Sequence, residues 1–572
     1  MMAETKSASW DEDYDFVVLG AGAGGMTAAL VASIEGMRTL LIEKSDQIGG
    51  TTARSSGTVW IPDNPEQRRL GIVDDEAKAR VYLDALVGDR ADPSLREAFI
   101  SAGPQMLEYL EKRADIRFQI YRRHPDYRQE LPGAADGGRP LEPLSFDGRT
   151  LGREFRRVRA PLRELMLFGG MMVTRAEAAR LLRAGRSWES FLLGAGLTLR
   201  YLADRLQYSR GTRLVLGNAL AARLFKKLLD RRVVIWYEAD TTALVKDNGR
   251  VCGLTVERNG KTVRVRAQHG IVLAGGGFPA NPAMRGRYLP QPVAEHTAAF
   301  EGCVGGTLQL ALDAGAVLGS PGEDNALWFP SSIGRRKDGS TIVYPHIVLD
   351  RSKPGLVAVN SAGRRFVDEA VSYHQFVRAM YRAHRESPCI PAMLVCDRRF
   401  LRKYGLGMIR PMTPVLTSYV DSGYLKVADS IEALAQKIGV DARGLAETVR
   451  LNNESARSGI DAEFAKGGNA YDLNNGDPDN LPNPCLGPIE VGPFCAVAVY
   501  PTPLGTSLGL RTNAHAEVCD ATGRVIAGLY ACGNDMDSVM GGEYPGAGAQ
   551  LGPAMTFGYV AAMCAARSSD LA

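Results

Sequence analysis

A glycine-rich loop near the C-terminus carries a tyrosine whose hydroxyl could do chemistry. The loop reads GGEYPGAGAQLG over residues 541–552, and its phenol belongs to Tyr544. A strand-like run precedes it at residues 525–534, and a helical run follows it to about residue 566. Glycines let a ligand approach the backbone closely, and a helix N-terminus offers unpaired N–H donors and a positive dipole end. This geometry suits the pyrimidine edge of a flavin, which gains negative charge on reduction, and makes Tyr544 the first catalytic candidate.

A second glycine-rich segment, at the other end of the chain, has the signature of a nucleotide site. An apolar strand at residues 16–19 leads into GAGAGG and then into a helical run. A second strand follows at residues 39–42 and ends in an acid. The glycines make the tight turn, the helix N-terminus meets a pyrophosphate, and the acid accepts from ribose hydroxyls. The predicted nucleotide-binding residues are Gly20, Ala21, Gly22, Ala23, Gly24, Gly25 and Glu43.

Small and hydroxyl-bearing residues at three further places extend this prediction. Such residues let the backbone crowd an elongated ligand from one side. The pattern of several distant contacts favours FAD held along its whole length over NAD bound at one Rossmann half. The additional predicted contacts are Lys44, Ser45, Gly49, Gly50, Thr51, Thr52, Ser56 and Gly57, then Ala274, Gly275 and Gly276 after a strand, then Gly533, Asn534, Gln550 and Leu551.

The positions of these segments predict the domain organisation. They lie near both chain ends, so we expect an α/β fold whose Rossmann-like FAD-binding domain is built from residues 1–300 and 486–572. Residues 301–485 then form an inserted α+β catalytic domain. Between about residues 60 and 235 we expect a mostly helical excursion from the FAD-binding domain. A chain of 572 residues is long enough for two or three domains.

Composition indicates a globular cytoplasmic protein. The chain is 45% hydrophobic and 23% charged, with a net charge of +4. No apolar run approaches the length of a membrane span, and the acidic N-terminal segment is unlike a signal peptide. The nine cysteines are scattered without metal-ligand spacing, which favours reduced thiols and no bound metal.

In residues 149–232 basic residues outnumber acidic ones, and short apolar segments lie between the arginines. This pattern can form a face that meets anionic lipid or another subunit. It can equally be a solvated arginine face on packed helices, which is the commoner arrangement and the interpretation preferred here. No nucleic-acid-binding motif accompanies the charge, so nucleic acid is not expected as a partner.

Three segments resemble a known family. They are Gly533 with Asn534, the run at residues 544–558, and the run VNSAGRRFVDE at residues 359–369. Over nearly its whole length the chain resembles the FAD-dependent 3-ketosteroid dehydrogenases, especially the Δ1 enzymes, within the flavoproteins that include soluble fumarate reductases. The resemblance implies that a tyrosine and a glycine N–H, matching Tyr544 and Gly548, hold the substrate ketone. Two donors on that oxygen stabilise the developing enolate.

The same resemblance implies a second tyrosine as the base, a third as its helper, and hydride transfer from the next carbon to flavin N5. The segment HPDY resembles the one with the helper, which assigns Tyr127 and leaves Tyr121 as a competitor. Between Pro330 and Asn360 the single tyrosine is Tyr344, which is the predicted base. A phenol with a pKa near 10 needs a neighbouring donor to act as a base at neutral pH.

Several alternatives remain open at this point. A Δ4-dehydrogenase, or a desaturase of another cyclic ketone, would use the same carbonyl activation. A fumarate-reductase-like enzyme needs cationic groups near the flavin, yet residues 541–552 contain no Arg, Lys or His. A flavoprotein that only binds a lipophilic ligand would not need the Tyr544 and Gly548 pair. No second GxGxxG motif for a nicotinamide cofactor is present, which favours a quinone or another diffusible electron acceptor.

Overall fold

The computed structural model describes residues 9–121, 123–181, 187–336, 338–347 and 350–569. Its strands are β1 Glu12–Leu19, β2 Thr39–Ile42, β3 Val59–Trp60, β4 Phe118–Ile120, β5 Pro140–Pro143, β6 Phe146–Asp147, β7 Arg213–Leu214, β8 Val234–Trp236, β9 Ala239–Asp247, β10 Arg250–Arg258, β11 Lys261–Leu273, β12 Ala326–Arg335, β13 Thr341–Pro345, β14 Leu356–Val359, β15 Ala392–Asp397, β16 Lys426–Ala428, β17 Phe494–Thr506, β18 Glu517–Cys519 and β19 Val525–Ala531. Its helices are α1 Ala23–Ile34, α2 Pro65–Leu70, α3 Glu76–Val87, α4 Pro93–Ala114, α5 Arg175–Leu181, α6 Trp188–Asp204, α7 Leu216–Asp230, α8 Pro282–Tyr288, α9 Gly306–Asp313, α10 Tyr373–His384, α11 Arg398–Tyr404, α12 Thr417–Asp421, α13 Ile431–Ile438, α14 Ala442–Ser458, α15 Ala470–Asn475 and α16 Leu551–Ser569.

The first sheet is built from both ends of the chain. Its strand order is β18-β19-β11-β1-β2-β8, and the run from β19 to β8 is parallel. Strands β9 and β10 add an antiparallel extension on β11. Helices α1 and α16 follow the two glycine-rich segments and pack on each other against this sheet. The predicted α/β class, with a Rossmann-like sheet assembled from N- and C-terminal pieces, is confirmed.

The close approach of α1 and α16 depends on two glycines. A Cβ atom built on Gly558 would lie 2.5 Å from the carbonyl oxygen of Gly24. On Gly24 it would lie 2.8 Å from the carbonyl oxygen of Ala554. Any larger residue at either position would force the helices apart, and with them the two loops that begin them.

The second sheet is antiparallel and has the strand order β13-β12-β17-β15-β14, with β16 also paired to β17. Helix α10 packs on β12. Strand β17 runs to Thr506, so this sheet extends beyond the predicted boundary at residue 485. The chain rejoins the first sheet at β18.

The excursion contains α2 to α7 together with a small sheet of order β3-β5-β4 and the pair β6–β7. Residues 182–186 of the basic region lie outside the described residues. Across the described helices, none combines the length and apolarity that crossing a bilayer would require.

Candidate active site

The predicted ribose acceptor Glu43 lies buried at the end of β2, where it is held by hydrogen bonds. One carboxylate oxygen accepts from the Ala21 N–H at 3.0 Å. The other accepts from the N–H and the hydroxyl of Ser45, at 2.9 and 2.7 Å. Thr52 caps the first turn of α1, since its Oγ1 accepts from the Ala23 N–H at 3.1 Å. These predicted residues therefore surround one end of the parallel sheet.

Some of the glycines in these loops have open space beside their backbone, where a nucleotide could approach. At Gly20 φ is +107°, and a Cβ atom there would lie 2.3 Å from the Ala274 carbonyl oxygen, so only glycine fits. By contrast, a Cβ atom on Gly22 would meet only Thr52 Oγ1 at 3.9 Å, and one on Gly50 would meet nothing within 4 Å. Gly22, the N-cap residue of α1, has no side chain, and Thr52 caps the turn from outside the helix. A helix N-terminus beside open space, together with a buried acid, fits the pyrophosphate and ribose of FAD.

Asp535 holds the third predicted glycine segment in place, and sequence reasoning missed it. Its carboxylate accepts from the N–H groups of Gly275 and Gly277, at 2.7 and 2.8 Å. It directly follows Gly533 and Asn534, so it joins the end of β11 to the end of β19. The signal in the sequence was an acid immediately after a predicted cofactor contact.

Two predicted cofactor contacts point elsewhere. The Lys44 ammonium pairs with Asp240 at 2.9 Å, and its side chain is 60% exposed. Ser56 is exposed, and its hydroxyl accepts from the Thr58 N–H at 3.4 Å. Gly49 and Gly57 instead serve close packing, since their Cβ atoms would lie 2.7 Å from the Ala53 Cβ and 2.6 Å from the Gly217 nitrogen.

A cluster of tyrosines lies where the C-terminal loop, the excursion and the second sheet meet. Tyr127 and Tyr544 stack with ring centroids 5.7 Å apart. Tyr373, the first residue of α10, contacts both edge-on, at 5.6 and 5.2 Å. Tyr471 packs on Tyr127 at 4.9 Å. Apolar side chains of Leu327, Leu504, Phe329 and Ala549 complete this cluster, hereafter the tyrosine cluster.

The hydroxyls of the cluster form two short chains. Tyr127 donates to the Tyr373 hydroxyl at 3.2 Å. Gln550 Nε2 donates to the Tyr544 hydroxyl at 3.2 Å, and Gln550 Oε1 accepts from Asn534 Nδ2 at 3.2 Å. Asn534 and Gln550, predicted as cofactor contacts, are thus linked directly to the predicted catalytic phenol.

Gly548 presents a free backbone donor close to Tyr544. Its φ is +98°, and a Cβ atom there would lie 2.6 Å from the Thr58 carbonyl oxygen, so glycine is required. Its own carbonyl accepts from the Trp60 N–H at 3.2 Å. Among the described residues, its N–H donates to no protein acceptor. A phenol and a free N–H within one short loop are the two donors that a ketone oxygen requires.

Buried hydrogen bonds fix the backbone of Tyr127. Its N–H donates to the Pro545 carbonyl at 2.8 Å, which ties it to the loop of Tyr544. The preceding Asp126 accepts from Trp60 Nε1 at 2.8 Å and from Arg139 at 2.7 Å. Burial raises the pKa of Asp126 to about 6, against the opposing effect of Arg139. By comparison, Tyr121 packs on the His124 ring at 4.8 Å and does not belong to the tyrosine cluster.

A second buried network joins α10 to the loop of Tyr544. Arg378 donates to Glu543 at 2.6 Å, to the Gly542 carbonyl at 3.0 Å and to Asp324 at 2.9 and 3.1 Å. All three charged side chains are at most 6% exposed. Because α10 also carries Tyr373, this ion pair fixes the position of Tyr373 relative to Tyr544.

Tyr344, the predicted base, is not brought to this cluster. It lies on β13, with its ring 5.6 Å from that of His346. His346 belongs to a separate buried chain, in which it contacts Ser332 Oγ at 2.8 Å and Asp350 at 2.6 Å. The Ser332 hydroxyl is 2.7 Å from that of Tyr424, and both Ser332 and His346 are at most 1% exposed. The Ser332–His346–Asp350 contacts resemble those of a hydrolase triad, but Ser332 and His346 are buried and cannot reach a ligand.

In the structure Tyr373, and not Tyr344, lies next to Tyr127. Tyr373 falls just beyond the resembling segment at 359–369, outside the interval between Pro330 and Asn360 from which Tyr344 was predicted. The local signal was Ser372, which caps α10 through a bond to the Gln375 N–H and so begins a helix with Tyr373.

Burial dominates the electrostatics of the tyrosine cluster. It raises the pKa of Tyr544, while the neighbouring Tyr373 hydroxyl and Gln550 act to lower it. The pKa values of Tyr127 and Tyr373 are both raised well above the usual value, first by burial and then by neighbouring phenols. At neutral pH all three phenols are therefore protonated donors, and a phenolate forms only with help from its neighbours.

Comparison with known proteins gives consistent results. Residues 15–551 match the family model described as FAD binding domain. A 3-oxosteroid 1-dehydrogenase of Mycolicibacterium smegmatis is 34% identical over 96% of this chain and 97% of its own. A 4-oxocyclohexanecarboxylate 2-dehydrogenase of Sinomonas cyclohexanicum is 35% identical over 96% of this chain and 92% of its own. The crystal structure of 3-ketosteroid Δ1-dehydrogenase from Sterolibacterium denitrificans, in complex with 1,4-androstadiene-3,17-dione, superposes with a TM-score of 0.91 at 39% identity, covering 97% of this chain and all of that one.

Proposed function

The chain belongs to the FAD-binding domain family and to its branch of cyclic-ketone dehydrogenases, and on this basis we propose that it desaturates a 3-ketosteroid between C1 and C2. The observation that carries this proposal is the meeting of Tyr127, Tyr373 and Tyr544 beside the free N–H of Gly548. Such a set of donors can polarise a ketone and accept a proton from the carbon next to it.

Tyr544 and Gly548 bind the ketone oxygen in this proposal. Both are donors in a buried loop, and hydrogen bonds in such a site gain strength as the oxygen becomes an enolate. Gln550 orients the Tyr544 hydroxyl by donating to its oxygen, which leaves the phenol hydrogen free for the substrate. The proton on the neighbouring carbon becomes acidic as a result.

Tyr373 accepts that proton, and Tyr127 assists it. The Tyr127 hydroxyl donates to Tyr373 at 3.2 Å, so the charge of a Tyr373 phenolate is shared with a second phenol. The same contact keeps Tyr373 at the edge of Tyr544, close to the site of the ketone. Tyr344 lies outside the tyrosine cluster and is not assigned a role.

FAD is held by the residues that surround the open glycine loops. Glu43 would hold the ribose hydroxyls, and the first turn of α1 with Gly50 and Thr51 would hold the pyrophosphate, beside the open space at Gly22 and Gly50. When bound, FAD would supply the acceptor for the hydride that leaves the second carbon. Asp535 keeps the Gly275–Gly277 turn in the shape that admits it.

A steroid is favoured over a small charged ketone by the ligand of the superposed structure, which is a complex with 1,4-androstadiene-3,17-dione. The apolar side chains Leu327, Leu504 and Phe329 of the tyrosine cluster suit the hydrocarbon surface of such a ligand. Δ4-dehydrogenation would use the same donors, so product analysis must decide the regiochemistry.

The deciding experiment mixes the yellow holoenzyme anaerobically with 4-androstene-3,17-dione and follows the flavin absorbance. Rapid bleaching with a 1,4-diene-3-one product supports the proposal. Bleaching by 4-oxocyclohexanecarboxylate instead would assign the small ketone. Bleaching only by saturated 3-ketosteroids, with a 4-ene product, would assign Δ4 chemistry. Tyr424→Phe, which removes a hydroxyl outside the tyrosine cluster, serves as a matched control.

A quinone or another diffusible acceptor reoxidises the flavin in this proposal. The sequence contains no second dinucleotide motif for a nicotinamide cofactor. The holoenzyme reduced by substrate should be reoxidised by menadione and not by NAD⁺. Reoxidation by NAD⁺ at a comparable rate would contradict this part of the proposal.

The described part of the basic region includes an apolar face that suits a lipid surface. On α6 and just beyond it, large apolar side chains recur on one helical face and are open to solvent: Trp188 72%, Phe191 49%, Leu192 52%, Leu199 67%, Leu202 56% and Leu206 86%. Exposed arginine side chains flank this face, among them Arg180 at 53%. Of the two alternatives that the sequence allowed, we assign this face to the surface of a membrane that contains anionic lipids, because apolar and basic residues occur together.

Vesicle sedimentation tests this assignment. The wild type should bind vesicles that contain phosphatidylglycerol more than neutral ones. Leu199→Glu with Leu202→Glu should abolish binding without changing turnover of a dissolved steroid. Leu481→Glu, at an exposed apolar site elsewhere, should change neither. A double variant that binds vesicles normally, or that changes only the oligomeric state, would contradict the lipid assignment and favour a subunit contact.

A further inference from the structure

Arg159 is a buried cation that the excursion delivers to the nucleotide cleft. Its N–H donates to the Ile48 carbonyl at 3.1 Å, and the Ile48 N–H donates to the Arg157 carbonyl at 2.7 Å. The next residue, Gly49, donates to the Ala21 carbonyl at 2.8 Å. This strand-like pairing brings a residue of the basic region directly beside the two predicted phosphate-facing loops.

The side chain of Arg159 reaches the ribose acceptor through one intermediate. Its Nη2 donates to Ser45 Oγ at 2.8 Å, and Ser45 Oγ donates in turn to Glu43 at 2.7 Å. Its guanidinium lies 3.6 Å from the centroid of the Phe300 ring. The Phe300 N–H donates to Thr51 Oγ1 at 3.0 Å, so the ring is fixed at the opposite end of the cleft. Arg159 therefore lies between Glu43 and Thr51.

Arg159 forms no direct ion pair within the part of the chain that the structure describes. The residue is 8% exposed, and among the described residues no carboxylate lies within 4.0 Å of its guanidinium. Arg54 lies over the same ring at 5.4 Å but pairs with both oxygens of Glu301, at 2.7 and 3.1 Å. Burial and the neighbouring Arg54 both lower the pKa of Arg159, and the carboxylates of Glu43, Glu301 and Asp46, which act without contacting it, only partly oppose them. A buried guanidinium that no carboxylate contacts is costly unless a ligand supplies the missing charge.

We infer that Arg159 binds the diphosphate of FAD. The diphosphate is the anionic part of that cofactor, and it spans the distance between the ribose held by Glu43 and the flavin half beyond Thr51. A guanidinium offers several donors in a planar fork that matches phosphate oxygens. The inference rests on FAD as the cofactor and is independent of the substrate proposed above.

Equilibrium binding to the full-length protein, stripped of FAD and reconstituted, tests this role. Arg159→Met should raise the Kd for FAD at least tenfold and weaken competition by ADP to a similar degree, because ADP carries the same diphosphate. Arg159→Lys should fall between, since it keeps the charge and loses the fork. Arg156→Met, at an exposed position on the same segment, should leave both constants within twofold of the wild type.

Thermal melting of the FAD-free proteins separates binding from folding. The FAD-free Arg159→Met variant should have the same melting temperature as the FAD-free wild type, while binding FAD more weakly. If Arg159→Met does not fold, Arg159→Lys replaces it in this comparison. An unchanged Kd for FAD in a folded variant would overturn the inference. So would a weaker Kd for FAD with unchanged competition by ADP, because the contact would then lie outside the diphosphate.

Discussion

The hydroxyl of Tyr127 donates to the hydroxyl of Tyr373 at 3.2 Å, across 246 positions of sequence. One phenol comes from the excursion and the other begins α10 of the inserted domain. Since Tyr127 is also tied to the Pro545 carbonyl, the contact joins both to the loop of Tyr544. The proposed proton acceptor, Tyr373, thus obtains its hydrogen-bond donor and its position beside Tyr544 only when three distant segments fold together.

Replacement of Tyr544 by Phe should slow flavin reduction by about a hundredfold or more, the cost of one lost oxyanion donor. The variant should retain FAD, because the predicted cofactor contacts Asn534 and Gln550 keep their mutual hydrogen bond at 3.2 Å when the hydroxyl is removed. Stopped-flow absorbance under anaerobic conditions measures the rate. A variant that reduces its flavin at near-normal speed would remove Tyr544 from the mechanism.

Tyr373→Phe should lose proton abstraction, with a fall in single-turnover rate of about 10²- to 10⁴-fold. Ligand binding, seen as a shift of the oxidised flavin spectrum, should persist. Exchange of the C2 hydrogen with deuterated water gives an independent readout. Tyr344→Phe is the matched control and should react normally; the opposite pattern would restore Tyr344 as the base.

The rate of flavin reduction should rise with pH. Burial holds the pKa of Tyr373 well above its usual value, so below that pKa the phenolate fraction grows about tenfold per pH unit. The rise should continue without a plateau between pH 7 and 9.5. Tyr127→Phe should lower the rate throughout, because the phenolate loses its donor. A rate independent of pH would show that Tyr373 does not act as a phenolate.

Asp472→Asn should stabilise the protein at alkaline pH. Burial and the adjacent Asp368 raise the pKa of Asp472 to about 9, whereas an unfolded Asp titrates near 3.9. Between these values the folded state holds an extra proton, so stability falls as pH rises, by at most about 1.4 kcal/mol per unit. Urea unfolding at pH 6, 7 and 8 should show a flatter dependence for the variant. The exposed Asp421→Asn should retain the wild-type slope.

Local pattern predicted much of the first sheet. The predicted strand at residues 39–42 coincides with β2, and the strand at 16–19 is the end of β1. Both follow from short apolar runs bounded by glycine or charge, whose interactions are close in sequence. Tyr544 could likewise be singled out because it is the single tyrosine of a glycine-rich loop, whereas the role of Gly548 came from the resemblance to the ketosteroid dehydrogenases.

Tyr373 and Arg159 could not be identified in the same way. Each acquires its environment from partners far along the chain, Tyr127 for the one and Ile48 with Ser45 for the other. The hydrophobic periodicity of the sequence does not predict such contacts, because they form only when a helix or the helical excursion packs on the sheet. The pairing of β17 with strands on both sides of the second sheet, beyond the predicted boundary at residue 485, is a long-range contact of the same kind.

The buried pairing of Arg378 with Glu543 and Asp324 bears on how substrate enters. Moving the inserted domain away from the C-terminal loop would break these contacts and expose all three charges to water. The same motion would carry Tyr373, the first residue of α10, away from Tyr544. A form of the enzyme opened at this seam to admit substrate would therefore lack the proposed base beside the ketone until it closes again.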